Sequence, residues 1–164
     1  TTLEVRTEPT QAVYTLTQRM SYPSCAAEVT VDASALKEGD VAGLCALQGC
    51  YAAVGITKHH GKYEVLMLDK KEVGLLDMTE GTVVESHQMD FRLEADFCNM
   101  KDEARCYYRV NKGDWLPIGT VHKLYFKLDH FTGCRFGLFC YAAEETGGSA
   151  CFRDFKYYDV DEIS

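Results

Sequence analysis

The sequence predicts an all-β protein, a single domain over residues 1–164 built from two packed antiparallel sheets. Three observations carry this reading. Short runs of β-branched and aromatic residues, broken by Gly, Asp, Asn and Lys turns, recur at the spacing of roughly 8–12 residues seen in sandwiches and barrels. No window longer than about ten residues keeps a 3.6-residue period, which leaves no place for a long helix. With 164 residues and 46% hydrophobic composition, the chain can bury one ordinary core.

The elements follow in order. Ala26 to Asp32 alternates, with Ala27, Val29 and Val31 on one side and Glu28, Thr30 and Asp32 on the other. Lys37-Glu38-Gly39-Asp40 is a turn. Tyr51 to Thr57 and Tyr63 to Leu68 flank His59-His60-Gly61-Lys62, the pattern of a hairpin. In Phe91 to Phe97, Arg92, Glu94 and Asp96 face away from Phe91, Leu93, Ala95 and Phe97, on what reads as a solvated face. Arg105 to Val110 ends in the turn Asn111-Lys112-Gly113-Asp114, followed by Trp115. Leu124 to Leu128, Phe136 to Tyr141 and Phe152 to Tyr158 complete the series. Tyr51 to Ile56 and Phe136 to Tyr141 are apolar on both faces. Either a second layer covers them or their outer face is an aromatic platform.

Composition excludes several partners. Lys and Arg number 17 against 25 Asp and Glu, a net charge of −8, and the pI is near 5.1. Nucleic acid and anionic membrane surfaces both demand clustered cations, so neither is expected as a partner. No stretch approaches the ~18 consecutive apolar residues of a membrane span. The chain opens at Thr1 with no charged start and apolar run, and so reads as a processed or excised piece. Its eight cysteines, Cys25, Cys45, Cys50, Cys98, Cys106, Cys134, Cys140 and Cys151, include no C-x-x-C pair. Several lie inside apolar strands, where a thiol behaves as a small hydrophobe. One or two bridges are the alternative, and a metal site the least supported.

Catalytic patterns are sparse. A glycosidase on a curved sheet needs two carboxylates flanking one bond. Glu94 and Asp96 share a face, but Arg92 shares it too. Gly-x-Ser-x-Gly is absent, the histidines are scattered, and no Gly-rich loop joins a strand to a helix. Sugar binding leaves a different mark: flat aromatics for the C–H face of a ring, and forked polar groups for its hydroxyls. Aromatics make up 12% of the chain, and the strand Arg105, Tyr107, Arg109 places one between two guanidinium groups on a single face. Gln48, Tyr51, Trp115, Tyr125 and Tyr141 are further candidates. For each, ordinary packing with a satisfied hydroxyl competes with ligand binding.

Certain motifs carry a family likeness. Thr15-Leu16-Thr17-Gln18-Arg19, Gly39-Asp40-Val41-Ala42-Gly43-Leu44 and Ala46-Leu47-Gln48 resemble the accessory β-sandwich found C-terminal to family 43 glycoside hydrolases. So do Tyr107-Tyr108 leading to Trp115-Leu116-Pro117-Ile118-Gly119, the run His130-Phe131-Thr132-Gly133 with Arg135-Phe136 and Leu138-Phe139, and Glu145-Thr146-Gly147-Gly148. The likeness extends from about Thr15 to Tyr157. It implies a concanavalin-A-like jelly roll, with β-xylosidase or arabinofuranosidase activity residing in a separate five-bladed propeller, so no catalytic residue carries over.

Four positions depart from that pattern. Cys134 stands where relatives tend to have an aromatic and Cys140 where they tend to have Asn. Cys151-Phe152-Arg153 replaces an Asp-Phe-Asp string. If those carboxylates hold a structural calcium in relatives, Arg153 is incompatible with the same site, because a guanidinium does not ligate a hard cation.

The expected function is a non-catalytic carbohydrate-binding module of an enzyme degrading plant cell-wall polysaccharide, of the xylan or β-glucan class. The alternative is a structural accessory domain that buries one sheet against an appended glycoside hydrolase catalytic domain. No cofactor is expected beyond that conditional calcium. An extracellular location follows from the polysaccharide reading, since polymers do not enter cells.

Overall fold

The structure, a computed structural model, describes residues 2–6, 8–9, 17–19, 24–48, 50–70, 76–78, 82–96, 103–111, 113–123, 135–142 and 148–159. Two sheets stack face to face. The six-stranded sheet runs β1 (Thr2–Arg6), β14 (Ser149–Asp159), β4 (Ser24–Asp32), β10 (Gln88–Asp96), β11 (Glu103–Arg109) and β12 (Leu116–Lys123). The eight-stranded sheet runs β2 (Glu8–Pro9), β13 (Arg135–Ala142), β5 (Val41–Gln48), β6 (Cys50–His59), β7 (Lys62–Lys70) and β8 (Leu76–Met78). In that sheet β3 (Thr17–Arg19) also pairs with β13, and β9 (Thr82–Val84) with β7. Every pairing is antiparallel except the two-residue contact of β2 with β13. The described residues contain no helix.

The core follows from the two-residue period of strands. Cys25, Ala27, Val29 and Val31 of β4 and Met89, Phe91, Leu93 and Ala95 of β10 point inward. They meet Ala42, Leu44 and Ala46 of β5, Val54 and Ile56 of β6, Val65 and Met67 of β7, and Phe136 and Leu138 of β13. The alternation in β4 and β10 thus faces as the sequence predicts. The hairpin is also where it is expected: His59 pairs with Lys62, and His60 and Gly61 turn the corner at φ 50° and 73°. Such a two-residue turn needs positive φ at both positions, and Gly61 supplies it without strain.

The doubly apolar strands have a definite explanation. Val41, Cys45, Ala53, Leu66, Leu68 and Phe139 form a second buried cluster on the other face of the eight-stranded sheet, each 5% exposed or less. The chain itself covers this face. Around these six residues it is therefore neither an aromatic platform nor an open apolar surface, while Val83 of β9, at the margin of the same face, is 56% exposed. Within it Gly43 lies opposite Gly55, and Phe139 opposite Gly43. A Cβ on Gly43 would come within 2.0 Å of the Val54 carbonyl oxygen, so only glycine fits this crossing.

Two differences from the sequence reading concern strands. β1, β2, β3, β5, β8, β9 and β12 occupy stretches the strand series passes over, and the strand expected at Leu124 to Leu128 lies outside the described residues.

Candidate functional site

The outer face of the six-stranded sheet carries the polar residues of β4, β10, β11 and β14, aligned in cross-strand rows. One row reads Arg153, Thr30, Asp90, Arg109; the next reads Lys156, Glu28, Arg92, Tyr107, Pro117. Opposite charges alternate along both rows, the arrangement that favours cross-strand pairing. Asp90, only 6% exposed, accepts from the Thr30 hydroxyl at 2.6 Å and from Arg109 Nε at 2.7 Å. Arg92 donates to Glu28 at 3.1 Å and to Glu94 at 2.9 Å, and its guanidinium lies over the Tyr158 ring at 5.9 Å. Arg153 donates to the Gln88 amide oxygen. This is not the freely solvated face that alternation alone predicts, because Arg92 and Asp90 are buried among their partners.

These contacts set the ionisation of the groups. Burial, then the hydrogen bond and charge of Glu28, hold the Tyr158 phenol above its ordinary pKa. At the end of β4, burial pushes the Asp32 carboxyl up. Hydrogen bonds from the Ser34 backbone and side chain, with His87 at 3.1 Å, outweigh that burial and bring the carboxyl below its ordinary value. Beside the Gly39 turn, Asp40 is fully buried. Its Oδ2 accepts from the Lys37 amide at 2.8 Å while Oδ1 has no partner among the described residues, and burial raises its pKa.

A small cleft opens in the middle of this face. Glu28, Val29, Thr30, Asp90, Arg109, Trp115, Asp154 and Lys156 line it, around a volume of about 40 Å³. Trp115, in the turn leading into β12, lies under the Arg109 guanidinium at 4.2 Å from the ring centroid. Arg109 is fixed in turn by its bond to Asp90, so indole, guanidinium and carboxylate form one stacked unit. The opposite wall comes from a bulge in β14. Arg153 pairs with Thr30 and Lys156 with Glu28, which leaves Asp154 and Phe155 facing Val29 alone. The extra residue keeps Phe152, Phe155 and Tyr157 all on the core side.

Four of the eight predicted site residues gather on this sheet. Arg105, Tyr107 and Arg109 alternate along β11 on its outer face, and Trp115 closes the cleft beside Arg109. Arg105 is more than half exposed and reaches Glu103 at 3.6 Å, away from the cleft lining. Gln48, Tyr51 and Tyr141 belong to β5, β6 and β13 of the other sheet, so they do not share a strand layer with these four. Tyr125 lies outside the described residues. Sequence reasoning missed Glu28, Thr30, Asp90, Asp154 and Lys156 as cleft residues. One signal was available for the last two: Phe152 and Phe155 are three apart, which no regular strand can place on one face.

The site does not fit calcium. Arg153 brings a guanidinium bound to Gln88, and the described residues include no group of three His, Cys, Asp or Glu able to hold a metal ion. Cys25, Cys45, Cys106, Cys140 and Cys151 are not joined in disulfides. Burial pushes the Cys45 and Cys140 thiols up, Cys140 to about 12, which leaves them inert as nucleophiles. No helix among the described residues is long and apolar enough to cross a membrane.

An all-strand sandwich of this topology, with central strands of one sheet buried on both faces and the other sheet bearing a polar outer face, is a concanavalin A-like domain. The chain belongs to the family of beta xylosidase C-terminal concanavalin A-like domains, matched over residues 2–158. That family is the C-terminal accessory domain of GH43 enzymes, distinct from their catalytic propeller. Among solved structures, a bifunctional GH43-CE protein of Bacteroides eggerthii is 36% identical, with a TM-score of 0.87, over 96% of this chain and 21% of that chain. The GH43 BlXynB protein of Bacillus licheniformis is 17% identical, with a TM-score of 0.78, over 95% of this chain and 32% of the other. A xylan beta-1,4-xylosidase of Bacillus halodurans C-125 is 16% identical, with a TM-score of 0.77, over 96% and 33%. The last two share the fold alone. This chain spans between a fifth and a third of the length of these proteins. Curated protein sequences gave no match.

Proposed function

We propose that this domain is a non-catalytic carbohydrate-binding module of a GH43-type enzyme that degrades plant cell-wall polysaccharide, of the xylan or β-glucan class. The observation that carries the reading is the cleft in the six-stranded sheet, where the Trp115 ring stands beside the fixed Arg109 and Asp90 pair. A sugar ring needs directed donors and acceptors beside an aromatic ring, and Arg109, Asp90 and Trp115 line this cleft together. Such a module acts by raising the local concentration of a tethered catalytic domain on its substrate, with no chemistry of its own. A polymer substrate places the parent enzyme outside the cell.

Affinity electrophoresis in native gels containing xylan, xyloglucan, β-glucan or glucomannan tests this. Xylan or β-glucan is expected to retard the domain, and Trp115→Ala and Tyr107→Ala to abolish the retardation. Migration unchanged by all four polymers would reject the binding reading.

A second reading, a structural domain packed against a GH43 propeller without its own ligand, draws on the solvent-facing Leu116 beside Trp115 and Pro117. The doubly apolar strands no longer support it, since their outer face is already covered. An orphaned interface would self-associate. Sedimentation of the domain as a monomer up to about 100 μM would count against this second reading.

A further inference from the structure

Asp154 stands out among the groups of the cleft. It is the inserted residue of the β14 bulge and takes φ 55°, a backbone conformation that glycine adopts freely and a residue with Cβ resists. Its carboxylate makes no hydrogen bond or ion pair among the described residues. The other carboxylates of the lining are engaged: Asp90 by Thr30 and Arg109, Glu28 by Arg92. Lys156, two residues on, is exposed and likewise unpaired among the described residues. Arg109 uses only Nε toward Asp90, which leaves the outer edge of its guanidinium for a ligand. The cleft thus combines one uncommitted acceptor pair, two uncommitted donors and an indole.

We propose that Asp154 and Lys156 are ligand-binding residues that recognise a single neutral sugar unit, at a chain end or a branch, with Asp154 accepting from two adjacent hydroxyls. The inference rests on the carbohydrate reading above and adds the ligand class and two residues to it. Neutrality follows from the charged groups of the lining, where Glu28, Asp90 and Asp154 outnumber Arg109 and Lys156 by one, a balance unfavourable to a uronate. The single unit follows from size. About 40 Å³ admits the edge of one ring, far below the ~300–1,000 Å³ of a site that encloses a ligand. The described aromatics of this face form no continued platform either, since Arg92 lies over the Tyr158 ring.

Calorimetric titration of the whole chain with xylose, arabinose and linear xylo-oligosaccharides of two to six units tests this, with Asp154→Gly, Asp154→Asn and Lys156→Ala alongside. Glycine takes φ 55° without strain, so Asp154→Gly is expected to keep or raise the thermal midpoint. The same variant is expected to weaken binding at least about tenfold, the scale of a lost charge-assisted hydrogen bond. Asp154→Asn, which tolerates the same backbone and keeps one acceptor, should fall between, and Lys156→Ala should also weaken binding. Kd should stay level as the oligosaccharide lengthens. Affinity rising with each added unit, or Asp154→Gly and Lys156→Ala binding like the wild type, would overturn the proposal while leaving the module reading standing. A wild-type chain that bound none of these sugars and no polymer would remove both.

Discussion

Arg109 holds two neighbours with one side chain. Its Nε satisfies the nearly buried Asp90, and its plane covers one face of Trp115. Arg109→Ala should therefore destabilise the fold by about 1–3 kcal/mol, mostly by stranding a buried acceptor. The expected readout is a lower urea midpoint at unchanged m-value. Arg109→Lys should recover little, because an ammonium does not stack and point at Asp90 together. Two carboxylates give opposite pH signatures. The Asp32 pKa lies below its unfolded value, so its contribution is present above about pH 3.9 and is lost as pH falls through the folded pKa. Asp40 lies above its unfolded value. Its buried carboxyl favours the protonated native state, so stability declines as pH rises from the unfolded pKa through the folded one. Urea midpoints followed from pH 3 to 7 should show Asp32→Asn flattening the acid loss and Asp40→Asn removing the decline. At this scale the sequence exposes Tyr107, Arg109 and Trp115, because aromatic and guanidinium groups alternating along a strand are visible in order. Asp154 is hidden, because its role depends on a left-handed backbone and on β4 lying opposite.

At the scale of elements, the strands most legible in sequence are those with one wet face. β4 and β10 alternate because Glu28, Thr30, Asp90 and Arg92 line one side, whatever those groups then pair with. β5 offers no alternation. Its Ala42, Gly43, Leu44, Cys45 and Ala46 meet apolar surroundings on both sides, and such a run has no period to read. β12 is hidden differently, by Pro117 and Gly119 in a strand that pairs through an irregular register with β11. The tightest crossing is testable. Gly43→Ala would drive a methyl to 2.0 Å from the Val54 carbonyl and 2.6 Å from Gly55 Cα, both backbone atoms that cannot swing aside. A loss of about 3 kcal/mol or more is expected, at the upper end of overpacking effects, again by urea denaturation. Gly55→Ala meets the Ala42 carbonyl at 2.8 Å and the tip of Phe139 at 3.2 Å, and should cost less.

For the whole molecule, the stacking of the sheets rests on apolar burial without cross-links among the described cysteines. Thiol titration in guanidinium should find at least five reactive groups, those of Cys25, Cys45, Cys106, Cys140 and Cys151, and a count below five would contradict the structure. In the native protein Cys45 and Cys140 should stay unreactive, buried and held protonated at neutral pH. The covered outer face of the eight-stranded sheet has a consequence for how the domain can change over generations of substitution. Along β10 and β11, every second position points to the polar face, and those outside the Asp90, Arg92 and Arg109 contacts, such as the exposed Arg105, have latitude to vary in charge and size. Along β5 and β6 both faces are packed, and tolerance should be uniformly low. New specificities would then be expected to arise on the six-stranded sheet and in the turns, while the other sheet serves as the fixed frame against which that drift takes place.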